Sequence, residues 1–169
     1  GTFRFFASLV AKPEQSTLEQ QLAHRCTKVF GIVVQPVVKI ERENGRVDEI
    51  RVRDVVMQTV LTKCLGPLSR WSSQLSTLDQ HGFNAVHFTP LATLGRSNSA
   101  YSLADQLTFD KRFEIENEEA LRNTLQTIER QSGVIAMVDV VLNHTADNTE
   151  WLKEHPDAVY NTDNSPHLK

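Results

Sequence analysis

The sequence predicts an α/β fold, a parallel sheet with helices packed outside it, preceded by a β-rich segment. Three observations carry this expectation. Leu68, Trp71, Leu75 and Leu78 recur at helical spacing, and so do Leu121, Leu125 and Ile128. Each stretch is followed by a nearly continuous apolar run, residues 83–88 and 134–142, as strands buried on both faces require. Residues 1–55 instead show two-residue alternation and turn chemistry.

In that first segment Phe3, Phe5 and Ala7 share one parity and Arg4, Phe6 and Ser8 the other, which predicts a strand with one wet edge. A polar stretch covers residues 12–21. Residues 31–40 are rich in β-branched side chains, and Pro36 assigns them to an edge or a bulge because it has no N–H for a ladder. Asn44-Gly45 between Val38/Ile40 and Val47/Ile50/Val52 predicts a hairpin with a type I′ turn.

From about Asp54 the period lengthens to that of a helix, stopped by Gly82. A buried strand over residues 83–88 ends at Thr89-Pro90. The next helix begins near Glu118, capped by Asn117, acidic at Glu118 and Glu119, basic at Arg130 and closed by Gly133. Residues 134–142 read as a third strand. Between strand and helix, residues 90–116 form a connection far longer than the usual span of about 2–6 residues. It leaves the carboxyl end of a strand, where ligands gather in barrels and open sheets alike. The expected division is 1–55 and 56–169.

Composition excludes several functions. With 18 Lys+Arg against 21 Asp+Glu, a formal charge of -3 and no dense basic run, no nucleic-acid partner is expected. Cys26 and Cys64 belong to no CxxC and have no His at ligand spacing, and His144, His155 and His167 match no zinc pattern. No metal site or disulfide framework is expected, and a reducing, cytoplasmic location fits. The apolar stretches on either side of Asp139 fall short of the roughly 20 residues of a membrane span, so no membrane partner is expected. The start at Gly1 has no Met, basic lead or cleavage site, and reads as a segment of something longer. The glycines at 31, 45, 66, 82, 95 and 133 form neither GxGxxG nor GxxxxGK, which leaves a doubly wound nucleotide-binding fold unsupported. No cofactor is expected. Asn143-His144-Thr145 fits a glycosylation sequon, but a partly buried strand-end Asn is a poor acceptor.

The strongest polar intrusion is Asp139 in Val138-Asp139-Val140-Val141-Leu142-Asn143-His144-Thr145. By alternation it shares a face with Ile135, Met137, Val141 and Asn143. A carboxylate there must be paired or hydrogen-bonded, so something charged should face it; the plain alternative is a structural Asp capping a neighbouring element.

This stretch resembles the first signature region of the α-amylase family of (β/α)8-barrel enzymes, at the end of the third barrel strand. Gly82-Phe83-Asn84-Ala85-Val86-His87-Phe88-Thr89-Pro90-Leu91 resembles the second strand of that family. Lys63-Cys64-Leu65-Gly66-Pro67, Tyr101-Ser102-Leu103-Ala104-Asp105-Gln106-Leu107, Glu154-His155-Pro156 and Asn164-Ser165-Pro166-His167-Leu168-Lys169 narrow the resemblance to the amino-terminal part of eukaryotic glycogen debranching enzymes, in their 4-α-glucanotransferase half. It is firm from about Cys64 onward and thinner before.

The resemblance implies an incomplete (β/α)8 TIM barrel, about its first three β/α units, preceded by the end of a β-sandwich-like domain; a full barrel takes about 250 residues. The implied partners are glycogen or phosphorylase limit dextrin, maltooligosaccharides and the remainder of the parent chain. The parent would move maltooligosaccharide units between chains and hydrolyse the remaining α-1,6-linked glucose at a separate site. His144 matches the histidine that hydrogen-bonds the primary hydroxyl of the donor sugar, and Tyr101 the aromatic platform beneath it. Alone, either would serve as well as a solvated or packing side chain. Asp105 would support that loop or the sugar, or be only structural. Asp139 matches an aspartate that braces an arginine beside the nucleophile. Asn143 matches a position that holds calcium in many amylases; here a hydrogen-bonding role is expected, since calcium takes about 6–8 oxygens.

Retaining glycosyl transfer needs a nucleophile and an acid/base carboxyl group. The nucleophile of the family lies in an Arg-x-Asp setting on a later strand. In Arg51-Val52-Arg53-Asp54 neither arginine stands two residues before the Asp, so the string is rejected. Both carboxyl groups are therefore expected beyond Lys169, and these residues alone are expected to be inactive. The alternative is a non-catalytic glycan-binding module or pseudoenzyme.

Overall fold

The computed structural model describes residues 2–5 and 30–168; the polar stretch 12–21, Cys26 and residues 6–8 of the first predicted strand lie outside the described residues. The chain divides into two units, Gly1–Val38 with Ile50–Asp54, and Lys39–Glu49 with Val55–Lys169.

In the first unit β1 (Thr2–Phe5) pairs antiparallel with β2 (Phe30–Val33). The β-branched run does not form one strand. Gln35 turns into the left-handed region at φ 53 and Pro36 has no N–H to donate, so the chain breaks before β3 (Val37–Glu41). β3 and β4 (Val47–Arg51) form the expected hairpin, but its turn is not type I′. Only Gly45 within it has positive φ, at 78. Hydrogen bonds from Gly45 N–H to Arg42 O (2.9 Å) and from Arg42 N–H to Arg46 O (2.8 Å) close a three-residue loop, the form that ends in a left-handed glycine. Asn44 instead uses its side chain, whose Oδ1 accepts from Arg46 N–H at 3.0 Å.

The second unit is built on a parallel sheet in the order β5 (Met57–Val60), β6 (Ala85–Phe88), β9 (Ile135–Val138). Its register aligns Thr59, His87 and Met137 across the three strands. The helical pattern after Asp54 is broken into a 3-10 turn at Leu68–Arg70, α1 (Trp71–Leu75) and a second 3-10 turn at Asp79–His81, ended by Gly82 at φ 83. Serines explain the break: Ser73 Oγ donates to Arg70 O and Ser76 Oγ to Ser73 O, each at 2.9 Å, competing for the carbonyls a longer helix needs. The apolar face survives, because Leu68, Trp71 and Leu75 are all buried.

α2 (Glu118–Ser132) forms as its caps predict. Asn117 Oδ1 accepts from Ala120 N–H at 2.9 Å, and Gly133, at φ 74, donates its N–H to Glu129 O at 2.8 Å. Residues 90–116 are not a plain loop: β7 (Ala92–Leu94) and β8 (Leu103–Phe109) form an antiparallel ribbon with an irregular register. β9 stops at Val138, short of the expected 142; the segment beyond it carries α3 (Trp151–Glu154). Among the described residues no helix is long and apolar enough to cross a membrane.

Helices cover one face of the sheet. Val86 and Phe88 pack with Trp71, Leu75, Ile128, Phe113 and Val134, while Thr59, His87 and Met137 occupy the other face. Trp71 is the centre of the buried side: its ring stacks on Phe88 (centroids 5.2 Å apart) and meets the edge of Phe113 at 5.7 Å. Its indole N–H is satisfied by Gly66 O at 3.0 Å. Trp71→Ala should therefore cost about 3–5 kcal/mol of unfolding free energy, measurable by urea denaturation; a cost below about 1 kcal/mol would remove this tryptophan from the centre of the core.

Candidate functional site

The site grows from two segments that leave the carboxyl ends of β6 and β9. A buried clasp fixes the start of the first, with Thr62 N–H donating to Thr89 Oγ1 (3.0 Å) and Thr62 Oγ1 to Thr89 O (2.7 Å). The β7–β8 ribbon follows, and the chain beyond β9 is sewn to it. Ala146 N–H and Thr145 Oγ1 both donate to Leu103 O, at 2.7 and 2.9 Å. Arg96 N–H donates to Asn148 Oδ1 at 2.9 Å, and its guanidinium pairs with Asp147 at 2.6 Å. Val141 packs with Leu94 and Leu103 in a small separate core. The approach is close enough that a Cβ at Gly95 would fall 2.3 Å from Ala146 Cβ, so only glycine fits.

This seam brings Tyr101, Asn143 and His144 together. His144 Nε2 lies 3.0 Å from Tyr101 O, and Nδ1 lies 3.0 Å from the Asn143 side chain. A carbonyl only accepts, so Nε2 carries the proton. Nδ1 faces the Asn143 amide, whose oxygen and nitrogen exchange by rotation, so this group can either donate to the ring or accept from it. Tyr101 is 40% exposed, beside an exposed His144. Together the three offer a stacking face and hydrogen-bonding groups suited to a polyhydroxylated ligand.

The other two sequence-predicted residues do not join this group by any direct bond. Asp105 accepts from Leu107 N–H at 2.9 Å and from Thr108 Oγ1 at 2.7 Å, so both its oxygens shape β8 at the irregular register opposite Thr93. Asp139 has left the strand, its N–H making the last ladder bond to Phe88 O at 3.1 Å. The group facing its carboxylate is His87 of β6, with Nε2 3.5 Å from Oδ2; among the described residues no arginine pairs with it. The Asn143 amide is engaged by His144, and no cluster of three or more His, Cys, Asp or Glu among the described residues could hold a metal ion.

Sequence reasoning gave no role to His87, although a histidine alternating with Val86 and Phe88 in an apolar strand was a readable signal. It also missed Asp110 and Arg112, whose only sequence mark is the short Asp-x-Arg spacing.

A family model described as "Glycogen debranching enzyme, glucanotransferase domain" matches residues 48–169, well over half of the chain. The chain belongs to this family. A curated relative, the glycogen debranching enzyme of Saccharomyces cerevisiae, is 42% identical over 117 residues, 69% of this chain but 7% of that protein. The chain therefore spans a small part of the relative it matches. Among solved structures, an α-amylase from Lactobacillus plantarum is 18% identical, with a TM-score of 0.53 over 65% of this chain and 28% of that one. An α-amylase from Geobacillus thermoleovorans, complexed with acarbose, is 17% identical, with a TM-score of 0.53 over 63% of this chain and 27% of that one. These likenesses show a mixed α/β fold shared with part of the α-amylase barrel. Tyr101, Asp105, Asp139, Asn143 and His144 all lie within the matched span.

The ribbon of this family member is held by one buried carboxylate. Asp110, 6% exposed, accepts from Leu94 N–H at 3.1 Å and from Arg112 N–H at 3.1 Å, and pairs with the Arg112 guanidinium through Nε at 2.9 Å. Arg112 Nη1 reaches on to Asn98 Oδ1 at 2.8 Å. Burial by itself would raise the Asp110 pKa; the backbone hydrogen bonds and the Arg112 charge outweigh it and hold the carboxyl below its ordinary value. Because the folded value is the lower one, its stabilisation is complete above the unfolded value of about 3.9 and is lost as pH falls through the folded value. Melting curves from pH 7 down to pH 2 should show Asp110→Asn less stable than the unmodified chain at pH 7, with the gap narrowing below about pH 4; a gap independent of pH would contradict the ionised assignment.

Proposed function

We propose that the chain forms the opening part of the 4-α-glucanotransferase barrel of a glycogen debranching enzyme and supplies one wall of its donor subsite. Residues 1–55 end a preceding β-rich domain in this reading, and residues 56–169 contribute about the first three β/α units. The substrate is glycogen or phosphorylase limit dextrin, from which maltooligosaccharide units pass between α-1,4-glucan chains in the cytoplasm. The remainder of the parent chain is the other partner. It would supply the nucleophile and the acid/base carboxyl group, so these residues alone transfer nothing. The amylo-α-1,6-glucosidase step belongs elsewhere in the parent.

The observation that supports this best is the His144–Tyr101 tie within a chain of this family. Retaining transfer proceeds by two displacements through a covalent glycosyl intermediate, and both displacements need the donor ring held still against the reacting carboxylates. The face of Tyr101 covers the C–H face of a pyranose. The primary hydroxyl of that sugar takes over one hydrogen bond of the His144 ring, so the imidazole stays satisfied as the sugar enters. Asn143 keeps the imidazole oriented before that exchange, Asp105 keeps β8 in shape, and Asp139 braces an arginine beside the nucleophile.

In the full-length enzyme His144→Ala should lower kcat/KM for chain transfer by about tenfold or more, the scale of a lost hydrogen bond to a positioned substrate, while the glucosidase step keeps its rate. Equal loss of both steps would count against this assignment.

A further inference from the structure

We propose that His87 is a positioning residue for the transferase site, holding the Asp139 carboxylate in one orientation; this rests on the functional reading given above. Thr59, His87 and Met137 stand side by side on three parallel strands, and Asp139 follows Met137 by one two-residue period, which returns it to the same face. Val86 and Phe88, the neighbours of His87 in β6, are 0% exposed against the helices. His87 therefore points away from that core, to the side of the sheet where Thr59 and Asp139 lie.

The contacts there have a direction. His87 Nδ1 lies 3.2 Å from Thr59 Oγ1, and Nε2 lies 3.5 Å from Asp139 Oδ2. A neutral imidazole has one donor and one acceptor. A carboxylate only accepts, so in a neutral ring the proton sits best on Nε2 facing Asp139, which leaves Nδ1 to accept from the Thr59 hydroxyl. Thr59 thereby fixes both the tautomer and the plane of the ring, as an outer hydrogen-bond partner does for a liganding histidine. The His87 side chain is 17% exposed and that of Asp139 34%, so the imidazole is the more buried member.

A contact of 3.5 Å is electrostatic and does not satisfy a carboxylate, which has two oxygens and about four acceptor sites. Among the described residues no side chain other than His87 faces the Asp139 carboxylate as a charge partner. Its backbone N–H is spent on Phe88 O, which pins the main chain but leaves the side-chain torsion free. His87 sets that torsion, so the remaining acceptor sites point in one direction, ready for a donor from the rest of the sheet. Misorientation of such a group loses rate through geometry and leaves substrate affinity nearly untouched.

The test measures kcat and KM for chain transfer, the glucosidase rate and the melting temperature in the full-length enzyme. His87→Ala should lower kcat by about tenfold to a hundredfold with KM changed less than about twofold, and Asp139→Asn should match it. His87→Gln, whose amide nitrogen can take the place of Nε2, should restore most of the rate. His87→Asn, which reaches only the place of Nδ1, should not. The double variant His87→Ala with Asp139→Asn should be no slower than either single one. Normal transfer by His87→Ala overturns the proposal alone, as does a loss that tracks the melting temperature and falls equally on the glucosidase step. Absence of transfer in the unmodified enzyme overturns the functional reading and this inference with it.

Discussion

The seam between β8 and the chain beyond β9 is the constraint on which the site depends. Ala146 N–H and Thr145 Oγ1 converge on Leu103 O, and Gly95 lets the two backbones meet where any side chain would collide. Each such hydrogen bond is worth only about 0.5–1.5 kcal/mol net. Their effect is geometric: they end β9 at Val138, drive Val141 into contact with Leu94 and Leu103, and leave His144 against the carbonyl of Tyr101. An aromatic and an imidazole more than 40 residues apart in sequence thus become neighbours through backbone packing.

The two faces of the sheet divide the work. On the helical face Trp71 joins β6 through Phe88 to residues 90–116 through Phe113, so the segment bearing Tyr101 starts and ends on a fixed core. The other face carries Thr59, His87 and Asp139 among partly exposed methionines, Met57 at 41% and Met137 at 51%. Beyond β9, Val140 and Leu142 are 69% and 87% exposed.

Much of this was legible in the sequence where local rules decide. The caps Asn117 and Gly133 gave both ends of α2 because capping depends on a few adjacent residues. Tyr101, Asn143 and His144 were singled out through their motifs, and the fold brings them into one group. Elsewhere competing interactions won. Serine hydroxyls split the helix expected after Asp54, and the Asn44 side chain replaced the backbone solution that a type I′ turn would have used. The β7–β8 ribbon was read as loop because its pairing is anchored by Asp110, which touches Leu94 across 16 residues. The group facing Asp139 is His87, whose position beside it is a matter of strand register that alternation within one strand does not reveal.

In the proposed function Tyr101 and His144 act as one surface toward a glucan. This is tested by a crystal structure of the full-length enzyme with a maltooligosaccharide in the transferase site. A glucose ring is expected to stack on Tyr101 with its primary hydroxyl within hydrogen-bond distance of His144. A sugar bound in that site with neither residue in contact would contradict it.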